Sequence, residues 1–156
     1  MQATYGYSLS NPMRAAPGTA LTAIGLLCRY FLDGWGPENE GMATGVAGLI
    51  DLSPPNKNNF NMYYYYYATQ AIHFHGGKEW NEKWNPKMRD LLIEMQVKSG
   101  TKGGSWDPEP DKIWMGPNTG RLGVTCMSLL TLEVYYRHLP LYKRDTAGLK
   151  ELERVR

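Results

Sequence analysis

The chain has 156 residues and 17.7 kDa, with 42% hydrophobic residues, 21% charged residues and a formal net charge of +2. This balance excludes a disordered polymer, a collagen and a strongly basic nucleic-acid arm, and it suits one ordinary domain. With 17 glycines and 10 prolines, turns are expected to be frequent. No run reaches the roughly 18 apolar residues that cross a bilayer. Residues 1–10 have neither the basic start nor the apolar stretch of a secretory leader. Neither a membrane span nor a leader is therefore expected in this sequence, and the compartment stays open.

Residues 19–33 place Leu21, Ile24, Leu27, Cys28 and Phe31 on one helical face and stop at Gly34. Residues 38–52 keep helical spacing through Met42, Val46, Leu49 and Ile50, although Gly41, Gly45 and Gly48 each lower the propensity by about 1 kcal/mol. This helix needs tertiary support. Residues 62–75 are apolar or aromatic nearly all round. The tyrosines 63–67 alone also suit a strand, but 68–72 continue without alternation, so a helix buried on most sides is expected. In residues 85–96, Trp84, Met88, Leu91, Leu92 and Met95 draw one stripe, with Asn85 as cap and Pro86 in the first turn. Residues 98–120 read as a long loop, and 122–139 as another helix buried on most sides. The charged stretch 143–156 reads as a tail with balanced charge, a poor nucleic-acid arm.

Cys28 and Cys126 both fall in apolar stretches. They read as buried small hydrophobes, with a mutual bridge or a reactive thiol as alternatives. An internal repeat is visible: the segments beginning at Thr22, Thr69 and Ser128 align hydroxyls, apolar positions and helix breakers at intervals of 47 and 59 residues. Helix-pair repeats of roughly this length build stacked or circular α-helical arrays. The fold expected is all-α, made of helical hairpins in two layers.

The segment Tyr63-Tyr-Tyr-Tyr-Tyr-Ala-Thr-Gln-Ala71, the helix ending in Gln96 with Gly104-Ser105-Trp106 beyond it, and Thr131-Leu-Glu-Val-Tyr-Tyr-Arg-His-Leu-Pro-Leu-Tyr142 carry a resemblance. Over residues 19–142 the chain resembles prenyltransferase and squalene-oxidase repeat proteins of the terpenoid cyclase and protein prenyltransferase α/α-toroid superfamily, in particular the bacterial, planctomycete-type members. Gln96 to Trp106 is similar to the glutamine–tryptophan repeat of squalene–hopene cyclases, with a longer spacing. The resemblance implies part of an α/α toroid over residues 1–142, either a C-terminal portion of a larger ring or a shortened, open form. It implies an apolar or isoprenoid-like ligand. The family's D-x-D-D acid, its zinc-binding D-x-C with a distant histidine, and the Cys-Gly-Glu-Gln thioester are all missing from the sequence.

The candidate site residues follow from these patterns. Tyr63 and Tyr67 share a helix face that can pack between layers or line a ligand wall, and Gln70 and His73 continue along that helix. His73 and His75, two apart on a helix, do not converge on a metal. Trp106, Asp107, Glu109, Asp111 and Trp114 occupy the long loop, with Arg121 at its end, and the loop reads either as cover over a helix end or as a binding surface. No catalytic set, metal site or cofactor is expected. The leading expectation is a non-catalytic binding or interaction domain. The first alternative is a cyclase-like enzyme acting on a polyprenyl substrate, its acid among Asp107, Glu109 and Asp111. The second is a structural module that assembles with another chain or with its own copy through an exposed apolar edge.

Overall fold

The computed structural model describes residues 4–6 and 18–137. The described residues are mostly helical, with six α-helices: α1 (Ala20–Cys28), α2 (Glu40–Leu52), α3 (Met62–His75), α4 (Asn85–Met95), α5 (Met115–Leu132) and the single turn α6 (Val134–Arg137). The tail 143–156 lies outside the described residues, as do positions 138 and 139 of the last expected helix.

The ends of these helices follow the local chemistry. Thr19, Asn39 and Asn61 each accept a backbone N–H of the first turn that would otherwise lack a partner, from Thr22, Met42 and Tyr64 respectively. Gly34 ends the first helical stretch in the left-handed region, at φ 70°, where residues with a side chain are strained. The five tyrosines are helical, as their continuation through Ala68 and Thr69 predicts.

α3 is the centre of the molecule and has no exposed residue. It packs against both α1 and α5, while α2 and the turn before α4 cover its other side. α1 and α3 run in the same direction. Gly18 to Ala20 share a cleft with Asn61, Tyr64 and Tyr65 at one end, and Tyr30 stacks on Phe74 at 4.4 Å at the other. α5 and α6 advance in the same sense, because Ser128 reaches Met62 and Arg137 reaches Tyr66. Alternate helices thus form a row, as helical hairpins require.

The hydroxyls aligned by the repeat are buried. Thr22, Thr69 and Ser128 are at most 2% exposed and lie on α1, α3 and α5. Each is hydrogen-bonded: Thr22 accepts the Tyr5 N–H, Thr69 accepts the Trp84 indole N–H, and Ser128 donates to the Val124 carbonyl. A hydroxyl can occupy such a site because the bond replaces the water it loses.

Several expectations are corrected. Asn85 does not cap α4: its backbone is already helical, and the chain enters α4 through a π-helical turn, Glu79–Trp84, that buries Trp80 and Trp84. α1 buries Thr22, Ala23, Leu26 and Leu27, leaving Cys28 and Phe31 exposed. The apolar stripe was rotated by about a residue because Gly45 of α2 lets Leu26 close in: a Cβ at Gly45 would lie 2.7 Å from a Leu26 methyl. Cys126 is exposed as well, and both cysteines are free thiols. α5 is buried on one side only, through Val124, Ser128 and Thr131. Its opposite side shows Leu122, Cys126 and Leu129, with Tyr136 of α6 in line. The long loop ends earlier than expected, since helix resumes at Met115 and breaks at Gly120, whose φ of 59° and ψ of −157° are non-helical.

Gly116 in that first turn gives a sharp test of packing. A Cβ there would fall 2.1 Å from the Asp111 carbonyl oxygen and 2.3 Å from that of Pro108, both backbone atoms that cannot swing aside. Gly116→Ala is expected to cost about 1–3 kcal/mol, read as a lower urea midpoint at unchanged slope.

Candidate functional site

The five consecutive tyrosines divide by the 100° turn of the helix. Tyr64 and Tyr65 face inward and are fully engaged. Tyr64 donates to the Leu49 carbonyl at 2.8 Å; Tyr65 accepts from the Asn56 N–H at 3.0 Å and donates to the Asn56 carbonyl at 3.1 Å. Burial pushes the phenol of each above its ordinary range, so both stay neutral donors.

Tyr63, Tyr66 and Tyr67 are half-buried on the opposite face, where Gln70 and Phe74 continue the line. Their rings form a connected aromatic surface. Tyr63 meets Tyr67 at 5.0 Å, Tyr67 meets Tyr66 edge-on at 4.9 Å, and Trp114, 47% exposed, lies 5.0 Å from Tyr63. Burial, followed by the neighbouring Tyr63 and Tyr66, raises the Tyr67 phenol. At the α6 side, Arg137 donates to the Tyr66 hydroxyl at 3.1 Å. At the α1 side, Tyr30 and Phe31 pack on Phe74. The surface is therefore largely apolar, dotted with phenol hydroxyls and flanked by Arg137.

Of the expected site residues, Tyr63, Tyr67 and Trp114 are brought together, with Gln70 one turn along. His73 turns aside, its ring packed edge-on against Trp80 at 4.8 Å. Burial lowers the pKa of His75, against the opposing pull of Glu79, and no cluster of three metal-ligating side chains occurs among the described residues.

The loop residues hold the fold. Trp106 is buried, its indole N–H donating to the Leu92 carbonyl at 2.8 Å and its backbone N–H to Thr125. Gln96 and Trp106 pair through their backbones in an antiparallel bridge, and the Gln96 amide donates to the Gly104 carbonyl. Asp111, 1% exposed, accepts the Met62 N–H at 2.7 Å and the Trp114 N–H at 3.2 Å. It thereby holds the start of α3 and positions Trp114. Glu109 donates its N–H to Asp107, whose other oxygen takes Arg121 at 2.9 Å.

The Glu109 N–H and then Arg121 hold the Asp107 carboxyl below its usual range. Its folded pKa is depressed, so its contribution is present above the unfolded value near 3.9 and is lost as pH falls through the folded one. The pair is partly exposed, so Asp107→Asn is expected to cost at most about 1 kcal/mol at pH 7 and nothing once both forms are protonated. Thermal midpoints of the two proteins at pH 7 and pH 2 check this.

Tyr66 and Arg137 belong to the site although the sequence reading did not select them. Tyr66 was accessible to it, lying three residues from Tyr63 and four from Gln70 on the same face. The partnership of Arg137 spans 71 residues and has no local signal. Compared with protein-family models, curated proteins and solved structures, the chain matches none.

Proposed function

We propose that this protein is a non-catalytic helical-repeat binding domain, arranged as part of an α/α toroid, whose α3 aromatic face takes an apolar ligand. The observation that carries the reading is the connected surface of Tyr63, Tyr66, Tyr67 and Trp114. Aromatic side chains at this level of exposure offer large contact area at low entropic cost, because each has few rotatable bonds. The row of alternate helices running one way supports the toroid arrangement, in which inner helices turn such a face to a central space. The acids Asp107 and Asp111, which a cyclase-like reading needs as proton donors, accept hydrogen bonds as part of the fold.

Titration with the neutral fluorophore N-phenyl-1-naphthylamine tests the reading. Saturable enhancement is expected in the wild-type protein, with affinity about tenfold weaker in the double variant Tyr63→Ala/Trp114→Ala and an unchanged helical circular dichroism spectrum. Equal affinities would remove the face from the site.

A second reading rests on α5. Leu122, 76% exposed, Leu129 and Tyr136, 79% exposed, leave an apolar stripe bare, and such a stripe favours assembly with another chain. Light scattering decides it: a stable oligomer that Leu122→Glu/Leu129→Glu converts to monomer supports assembly, and a wild-type monomer at high concentration rejects it.

A further inference from the structure

Arg137 uses only part of its guanidinium. Nη1 donates to the Tyr66 hydroxyl at 3.1 Å, and the guanidinium carbon lies 5.3 Å from the Tyr66 ring centroid. Nε and Nη2 are shielded from solvent and meet no acceptor among the described residues. Among the described residues, no carboxylate forms an ion pair with Arg137.

The covalent geometry makes these two atoms a pair. With Nη1 turned to Tyr66, the N–H bonds of Nε and Nη2 project side by side from one edge of the planar group, at the spacing of the two oxygens of a carboxylate. A guanidinium does not shed its proton, so the cost of burying the edge is not relieved by neutralisation, as it can be for lysine. The edge is therefore an unmet demand for an anion. It adjoins the aromatic surface directly, because the Tyr66 ring that carries Arg137 touches Tyr67. An uncharged guest leaves the edge unmatched, and a cationic guest is repelled by it.

Resting on the reading of this face as a binding surface, we propose that its guest is an apolar carboxylate. The hydrophobic body lies along Tyr67, Tyr63 and Trp114, and the head takes the Nε/Nη2 edge of Arg137. Since the edge is shielded in the free protein, uptake requires a rotamer change of Arg137.

The test uses the full chain, isothermal titration calorimetry and two probes with the same body: 2-naphthoate and the neutral 2-naphthalenemethanol. Naphthoate is expected to bind at least about tenfold more tightly. Arg137→Lys keeps the charge and removes the fork, and it should abolish the preference for naphthoate over the alcohol. Equal wild-type affinities for the two probes would overturn the carboxylate proposal and leave the binding surface standing. Binding of neither would overturn both. In a third arm, a full chain carrying Asp145→Asn, Glu151→Gln and Glu153→Gln is expected to bind naphthoate as the wild type does; tighter binding would assign the edge to the chain's own acids and overturn the proposal. Should Arg137→Lys fail to fold, the two-probe comparison in the wild type still decides.

Discussion

Trp84→Ala is expected to remove about 3–5 kcal/mol of stability. Trp84 is 0% exposed and sits where the π-helical turn meets α4. Its ring lies against Tyr64 and Tyr65, with centroids 6.1 and 6.3 Å away, and its indole N–H donates to Thr69 at 2.9 Å. Alanine would open a cavity between α3 and the helices that cover it. It would also leave the buried Thr69 hydroxyl without its donor. A domain of this size is stable by only about 5–15 kcal/mol, so the variant should stand near its unfolding threshold at physiological temperature. Trp84→Phe, which refills most of the volume but not the hydrogen bond, should recover more than half of the loss. Urea denaturation of the three proteins checks the order, and a Trp84→Ala midpoint close to wild type would contradict the packing described.

The second large effect is expected at Asp111. Its two oxygens each satisfy one backbone N–H, of Met62 and of Trp114, and the side chain is sealed from solvent. Asp111→Ala strands both donors, the buried Met62 N–H at about 1–3 kcal/mol and the part-buried Trp114 N–H at less, so a total of about 2–4 kcal/mol is expected. Asp111→Asn offers one oxygen and sets an NH2 group against the other N–H, so an intermediate loss is expected. The effect should also reach the aromatic face, because Asp111 positions the backbone that places Trp114 beside Tyr63. Asp111→Asn should therefore weaken N-phenyl-1-naphthylamine binding as well as stability. An alanine variant as stable as the wild type would show that neither bond contributes.

These two residues mark where the sequence was readable and where it was not. The helices themselves and the stop at Gly34 were legible, whereas the caps Asn39 and Asn61 were not singled out and Asn85, which was, lies inside a helix. The division of the tyrosines also followed from helical geometry alone, since Tyr63 and Tyr67 had to part from Tyr64 and Tyr65. The π-helical turn was not legible, because Pro86 gives the same signal at a true start as inside a helix whose hydrogen bonds are already displaced by an extra residue. Asp111 looked like one of three alternating acids in a loop. Its partner lies 49 residues back at the first turn of α3, and only the tertiary fold connects them. Residues 122–139 were expected to be buried on most sides because they are apolar nearly all round, yet apolarity states what a surface prefers and not whether a neighbour is there to cover it.

On the proposed function, the outward tyrosines of α3 form a binding surface while the inward ones hold the core. Carbon-13 NMR of protein labelled on its tyrosine rings, titrated with N-phenyl-1-naphthylamine, tests this within one helix. The ring signals of Tyr63, Tyr66 and Tyr67 are expected to shift with saturating dependence, while those of Tyr64 and Tyr65 hold still. Shifts centred on Tyr64 and Tyr65, or no shift in any of the five, would contradict it.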